Sequence, residues 1–231
     1  MGNGLSLKCS AILFDLDGVL VDSSQCVEAT WRQWAARHGL DAEQAIQVAH
    51  GRRTIETVAL LAPQLAVSDE VEALAASEST TTEGVYEVPG ARELLASLPA
   101  NVWAVVTSGV RAVATLRIRH TGLPSPPVLI CADEIDRGKP DPQGYLIAAE
   151  RLGFAPSQCI VVEDTRPGIE AAHAAGMKVV AVAGTHPAHE LTVADVTIPR
   201  LSALRVHNAH DYLIVDSVST SDGTRTRIRG E

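Results

Sequence analysis

Aromatic residues, lysine and long apolar runs are all scarce in this chain of 231 residues. Aromatics make up 3% of the chain, whereas 46% is hydrophobic, with alanine and valine dominating that set. This balance argues against an all-β sandwich and favours small-residue helices packed on buried strands. No apolar run approaches the 18 or more residues that a membrane span needs, so no membrane contact is expected.

Cysteine is also sparse, and the spacing of the cysteines argues against a zinc site. The four cysteines include no C-x-x-C pair, which argues against bound zinc. The N-terminal segment lacks the apolar region of a secretory leader, so we expect reduced core thiols in a cytoplasmic protein. The opening MGNGLS matches the pattern for myristoylation, and the sequence leaves open whether Gly2 is modified.

The charge balance limits the partners that the surface can attract. The net charge is −9, and only three of the nineteen basic residues are lysine, namely Lys8, Lys139 and Lys178. A nucleic-acid or anionic-membrane surface is therefore not expected. An anionic small molecule remains possible, because it needs only a locally positive pocket.

Short apolar runs alternate with helical patterns, which indicates an α/β fold with a parallel sheet. Strands are predicted at 11–14, 102–106, 128–131, 159–162 and 179–182, with an edge strand at 196–198. Core helices are predicted at 91–98, 111–121, 142–152 and 169–175.

The first connection is several times longer than one crossover requires, because about 85 residues after Leu16 show no convincing strand. Four amphipathic patterns, at 24–38, 42–49, 54–61 and 69–82, predict an all-helical insertion over the carboxyl ends of the strands. We therefore expect a core formed by residues 9–21 and 88–201, a helical cap at 22–87, and a poorly ordered tail at 217–231.

Two carboxylates stand together where the first strand ends, in the sequence Asp15-Leu16-Asp17-Gly18. Buried beside each other they would repel, and a divalent cation with oxygen ligands would relieve that repulsion. Taken alone, the pair is explained better by a turn with solvated acids. The alternatives separate only when the other strand ends are considered.

Those strand ends carry further polar groups of a complementary kind. Glu163 and Asp164 end one strand, Thr107, Ser108 and Gly109 end another, and Lys139 lies in a loop that opens a helix. Acids, hydroxyls, free amides and one cation are the groups that phosphoryl transfer needs.

With these four elements in this order, the chain resembles the haloacid dehalogenase-like (HAD) hydrolase superfamily over about residues 9–200. The resemblance implies a Rossmann-like, three-layer core with an inserted helical cap. It also implies that Asp15 is the nucleophile, that Asp17 is the acid and base, and that Mg²⁺ is held by Asp15, the Asp17 carbonyl and Asp164, with Glu163 nearby. Thr107, Ser108, Gly109 and Lys139 would hold the phosphoryl group.

The resemblance also limits which of the superfamily's reaction types is expected. Dehalogenases of the superfamily lack the second aspartate, so Asp17 indicates phosphoryl transfer. No lysine lies between Lys8 and Lys139, whereas phosphonate-cleaving and β-phosphoglucomutase-like members use a lysine of the cap. The mutases also carry a histidine where this chain has Val27. A phosphatase is therefore favoured, and a mutase with another cap group or a non-catalytic binding module remain the alternatives.

One segment of the predicted cap is suited to binding an anion. His50, Gly51, Arg52 and Arg53 come just before a helix, with Thr54 as its expected cap. The segment resembles the H-G-x-R-T stretch of glycerol-3-phosphatase and 2-deoxyglucose-6-phosphatase relatives, although a solvated capping loop fits too. We expect His50, Gly51 and above all Arg53 to contact the substrate.

The sequence thus predicts a magnesium-dependent phosphatase whose partner is a small sugar or polyol phosphate. It does not identify that phosphate. The oligomeric state stays open, with a monomer as the working expectation.

Overall fold

A seven-stranded sheet, parallel except at one edge, forms the centre of the molecule. The computed structural model describes residues 6–184, 187–209 and 212–217, together with the backbone of residues 227–228. The strands in chain order are β1 (Ser6–Cys9), β2 (Ala11–Phe14), β3 (Val21–Asp22), β4 (Tyr86–Glu87), β5 (Trp103–Val106), β6 (Leu129–Ile130), β7 (Cys159–Glu163), β8 (Lys178–Val182), β9 (Val196–Ile198), β10 (Leu204–Ala209), β11 (Tyr212–Ser217) and β12 (Arg227–Ile228). The central sheet has the order β12-β9-β8-β7-β2-β5-β6, and β12 alone is antiparallel within it.

Helices cover both faces of this sheet, which gives three layers. The helices are α1 (Ser24–His38), α2 (Ala42–Ala49), α3 (Thr54–Leu61), α4 (Val67–Glu78), α5 (Ala91–Ala96), α6 (Arg111–His120), α7 (Gln143–Leu152) and α8 (Arg166–Ala174). Ile12 and Phe14 of β2 pack into the same core as residues of α5 and α6, whereas Leu13 points to the core shared with α7 and α8. The period-two alternation of a strand buried on both sides explains the continuous apolar runs. The predicted α/β architecture is confirmed, with small shifts at element ends.

The insertion forms a helical cap with its own core. Trp34 is fully buried there among residues of α1 to α4, and its indole nitrogen donates to Glu70 at 2.8 Å. The expectation that this segment contains no strand is wrong at its two ends. The chain enters and leaves the cap through an antiparallel ribbon in which Val21 pairs with Glu87 and Asp22 with Tyr86. Two-residue strands are too short to show the alternation by which strands are recognised.

The C-terminal region also extends the core beyond its predicted boundary at residue 201. Strands β10 and β11 form a three-stranded antiparallel sheet with β1, in the order β1-β11-β10. The tail expected at 217–231 differs from that expectation where it is described, because Ser217 ends β11 in a buried position and Arg227–Ile228 pairs with β9. The rest of the tail, like Gly2, lies outside the described residues.

The cysteines agree with the expectation drawn from the sequence. All four cysteines are buried free thiols. Among the described residues, no helix is long and apolar enough to cross a membrane.

Candidate active site

The carboxyl ends of β2, β5 and β7 meet under the cap around a cavity of about 100 Å³. Neighbouring parallel strands bring their carboxyl ends to one edge of the sheet, which is where open α/β sheets bind ligands. The core contributes Asp15, Asp17, Thr107 and Asp164 to the lining of this cavity. Residues of α1 and of the loop before α3 close it from the cap side.

After β2 the chain turns back on itself at Gly18. The amide of Asp15 donates to the Val162 carbonyl at 3.0 Å, and the amide of Gly18 donates to the Val21 carbonyl at 2.7 Å. Gly18 has φ +85°, a backbone conformation that residues with a side chain rarely adopt. A Cβ at this position would lie 1.9 Å from Oδ2 of Asp164. Glycine at this position therefore allows the two strand ends to bring their carboxylates together.

Three carboxylates form a buried cluster beneath that turn. Carboxylate oxygens of Asp15, Glu163 and Asp164 lie within 4.8 Å of one another, and each of these residues is at most 6% exposed. Such a set of oxygen donors suits a hard divalent cation. Lys139 supplies a positive charge, since its Nζ lies 2.6 Å from both Asp15 Oδ1 and Glu163 Oε1.

Glu163 has its two oxygens committed to donors of the protein. Oε1 accepts from Lys139 and from the Tyr145 hydroxyl, while Oε2 accepts from the amides of Asp164 and Thr165 and from the Thr165 hydroxyl. Burial alone would raise the pKa of Glu163, but Lys139 and these amides together hold it below its ordinary value. Asp15 and Asp164 are therefore the better candidates for metal ligands, and Glu163 is better placed to fix Lys139.

The Asp15 carboxyl has a different electrostatic environment. Burial raises the pKa of Asp15 from the ordinary 3.8 to about 7, and the neighbouring charges of Glu163 and Asp17 also raise it, while Lys139 offsets only part of the rise. An ionised Asp15 therefore needs more positive charge than Lys139 provides.

Asp17 is held by three groups from different parts of the chain. Its Oδ1 accepts from the Ser23 hydroxyl and from Nη1 of Arg117, both at 2.7 Å, and its Oδ2 lies 3.4 Å from the Thr107 hydroxyl. Sequence reasoning missed Arg117, which is 4% exposed on α6 and also contacts Glu78 of the cap at 3.2 Å. Its position six residues into the helix after β5 offers no local signal, because sixteen of the nineteen basic residues are arginine.

The predicted phosphate-holding residues do converge on the cavity. The hydroxyl oxygen of Thr107 accepts a hydrogen bond from the amide of Gly109 at 3.0 Å, and this bond closes a tight turn after β5. The hydroxyl of Ser108 donates to the Gly51 carbonyl of the cap at 2.9 Å. Thr107, Ser108 and Gly109 all line the cavity, whereas Lys139 approaches it from below through Asp15.

The cap loop that includes His50 and Gly51 lies directly over the core. His50, Gly51 and Arg52 line the cavity, as does Trp31 of α1. Gly51 has φ +71°, and a Cβ there would lie 2.7 Å from the hydroxyl oxygen of Thr165. The loop can therefore approach the Thr165 side chain of the core closely, because Gly51 has no side chain of its own.

Arg53 does not lie where the sequence predicted. It is absent from the cavity lining, and its guanidinium donates to Glu56 and to the carbonyls of Ile135 and Asp136, at 2.7 and 2.6 Å respectively. Glu56 in turn accepts from the amide of Gly138 at 2.9 Å. These contacts dock the cap on the loop before Lys139 and use the donors that a substrate contact would need.

Thr54 also differs from its predicted role. It is the first residue of α3 and not its cap, since the N-cap position belongs to Arg53.

Comparison with known proteins shows the family to which the chain belongs. Residues 12–182 match the model of the haloacid dehalogenase-like hydrolase family. The chain belongs to this family. Its fold resembles the crystal structure of CbbY from Rhodobacter sphaeroides in complex with phosphate, with a TM-score of 0.73 and 25% identity over 84% of this chain and 95% of that one.

Named phosphatases are among its relatives. Hexitol phosphatase A of Escherichia coli (strain K12) is 40% identical over 205 residues, which cover 87% of this chain and 95% of that protein. Glycerol-1-phosphate phosphohydrolase 2 of Saccharomyces cerevisiae is 39% identical over 193 residues, covering 78% and 77% of the two chains.

The close approach of Gly51 to Thr165 predicts the effect of adding one methyl group there. We expect Gly51→Ala to lower stability by about 1–2 kcal/mol through its left-handed backbone conformation, and to oppose cap docking through the contact of the new methyl group with Thr165. Steady-state kinetics should show KM for a phosphorylated substrate raised roughly tenfold, because the docked state is less populated.

Gly39→Ala is the matched control for this variant. Gly39 also has a left-handed backbone, with φ +66°, but nothing lies within 4 Å of the position that a Cβ would take there. The control should lower the melting temperature without raising KM. Equal KM values for the two variants would contradict the docking role of Gly51.

Proposed function

We propose that this protein is a divalent-metal-dependent phosphatase that hydrolyses a small sugar or polyol phosphate through a phosphoryl-aspartate at Asp15. The observation that carries the proposal is the pairing of Asp15 with Lys139 in a buried acidic cluster, beside a second carboxyl group, Asp17, on the same turn. The names of the relatives, hexitol phosphatase A and glycerol-1-phosphate phosphohydrolase 2, support the same substrate class.

The first half of the proposed reaction transfers the phosphoryl group to the protein. A carboxylate oxygen of Asp15 attacks phosphorus, and the bond from phosphorus to the substrate oxygen breaks. Asp17 gives a proton to the departing oxygen, so that a neutral alcohol leaves. Lys139 has three N–H donors and gives two of them to Asp15 and Glu163, which leaves one for a phosphoryl oxygen.

The second half returns the protein to its starting state. Asp17, now ionised, takes a proton from water as the water oxygen attacks phosphorus. The bond from phosphorus to Asp15 then breaks, and inorganic phosphate is released. The strand end at Thr107 and Ser108 holds the phosphoryl oxygens in both halves, with amide and hydroxyl donors.

The residues present fit a divalent cation. Asp15 and Asp164 supply carboxylate oxygens in a cluster whose charge Lys139 only partly balances, and Gly18 leaves the space that the Asp164 carboxylate occupies. We propose Mg²⁺ as that cation, with the Asp17 carbonyl as a further ligand. When bound, it would neutralise charge on the phosphoryl oxygens and on the nucleophile.

Two features of the cap support hydrolysis over isomerisation. The cap segment contains no lysine, and the guanidinium of Arg53 is engaged by Glu56 and two carbonyls. Among the cap residues that line the cavity, His50 and Arg52 are the basic ones within the described part of the chain. We propose that His50, Gly51 and Arg52 contact the substrate.

A panel of sugar and polyol phosphates tests the proposal. With Mg²⁺ present, release of inorganic phosphate is expected from at least one small monophosphate. Asp15→Asn should lower kcat by about 10³-fold or more, because it removes the nucleophile, and Asp17→Asn by about 10²- to 10⁴-fold, because it removes the acid and base. Activity that survives Asp15→Asn would refute the mechanism, and isomerised sugar phosphate in place of phosphate would indicate a mutase.

The raised pKa of Asp15 predicts a pH-dependent response to the metal. A carboxyl whose pKa rises from 3.8 to about 7 on folding stabilises the metal-free protein when protonated, and that contribution is lost as pH rises through about 7. Mg²⁺ competes with this proton, so its stabilising effect should grow between pH 6 and pH 8. Thermal melts with and without Mg²⁺ measure the difference.

Variants locate the metal in the same experiment. Asp164→Asn should abolish the stabilisation by Mg²⁺. Asp133→Asn should preserve it, although Asp133 belongs to a second acidic group, formed with Cys131 and Glu134. The opposite pattern would place the metal at the second group and contradict the assignment.

A further inference from the structure

A buried arginine connects Asp17, the candidate general acid and base, to the cap. Arg117 lies on α6 of the core and is 4% exposed. Its Nη1 contacts Asp17 Oδ1 at 2.7 Å, and its Nη2 contacts Glu78 Oε1 at 3.2 Å, at the last residue of the cap helix α4. One guanidinium therefore connects the reacting loop with the cap.

The contacts of Asp17 are divided unequally between its two oxygens. Oδ1 receives the two short bonds, from Arg117 and from the Ser23 hydroxyl. Within the part of the chain that the structure describes, Oδ2 has only the longer 3.4 Å contact with Thr107, a residue of the candidate phosphate-holding strand end. Fixing Oδ1 orients the plane of the carboxyl group and leaves Oδ2 beside Thr107.

The charge of Arg117 is balanced at this buried position by two carboxylates. Burial opposes its charge, but Asp17 and Glu78 together hold the pKa of Arg117 above its ordinary value. The planar fork of a guanidinium can contact two carboxylates at once in fixed directions, which a lysine ammonium does less well. A guanidinium fits this junction for that reason.

We propose that Arg117 is a positioning residue that holds Asp17 in its proton-transferring orientation, and that Glu78 anchors Arg117 when the cap is docked. The proposal rests on the proposed phosphatase function. It makes the proton-transfer group depend on the cap, because one of the two carboxylates that fix the guanidinium belongs to α4. In this proposal Arg117 acts through Asp17 and not on the substrate, although its side chain also lines the cavity.

Two leaving groups distinguish positioning from a merely structural role. The alkoxide of a polyol phosphate needs a proton from Asp17, whereas 4-nitrophenolate departs without one. The ratio kcat/KM reports the steps up to departure of the leaving group. Arg117→Met should therefore lower kcat/KM for glycerol 1-phosphate by about 10²-fold, and leave kcat/KM for 4-nitrophenyl phosphate within a few-fold of the unaltered protein.

The same logic applies to the companion variants. Arg117→Lys keeps the charge but not the fork, and should recover part of the loss on glycerol 1-phosphate. Glu78→Gln should produce the same selective pattern to a smaller extent. Arg119→Met, at an exposed position on α6, and Glu72→Gln, at an exposed position on α4, are the matched controls and should change neither ratio.

Each contrary outcome is distinct. If Arg117→Met lowers both ratios equally, Arg117 supports the fold and not proton transfer, and the inference fails. If it leaves glycerol 1-phosphate turnover unchanged or raises it, Arg117 does not hold Asp17 in a working position. If the unaltered protein hydrolyses neither compound and no member of the phosphate panel, the proposed function fails, and this inference fails with it.

Discussion

The cluster formed by Lys139 with the buried carboxylates is the interaction on which the rest of the site depends. Asp15, Glu163 and Asp164 lie at the ends of adjacent strands, and such crowded charges are costly to bury unless cations and hydrogen bonds balance them. Glu163 is balanced within the protein by Lys139 and by backbone amides. Asp15 is not fully balanced, and this incomplete compensation prepares the site for a metal and a phosphoryl group.

Two glycines and the cap serve this arrangement. Gly18 lets Asp164 approach the carboxyl end of β2. Gly168 leaves room for the Glu163 side chain, because a Cβ at Gly168 would lie 1.6 Å from Oε1 of Glu163. The cap then closes the site through the Gly51 carbonyl and through the contacts of Arg53 and Glu56 with the loop before Lys139. The loop that delivers the lysine is therefore also a surface on which the cap docks.

The parts of the site that could be predicted are those written in local patterns. Apolar runs ending in Asp15 and in Glu163 mark buried strands whose carboxyl ends must meet, and the scarcity of lysine draws attention to Lys139. Arg53 and Arg117 carry no such mark, because the sequence does not show which carbonyls or carboxylates a long side chain will reach. The ribbon of Val21–Asp22 and Tyr86–Glu87 was missed since its pairing partners are far apart in sequence.

The most direct test of the central claim is to trap the covalent intermediate. The protein, turning over a small polyol phosphate with Mg²⁺, would be quenched in acid, digested and analysed by mass spectrometry. One phosphoryl group on the peptide that contains Asp15, and its loss in Asp15→Asn, is the predicted result. A phosphoryl group on any other residue, or none while phosphate is still released by the unaltered protein, would contradict the account.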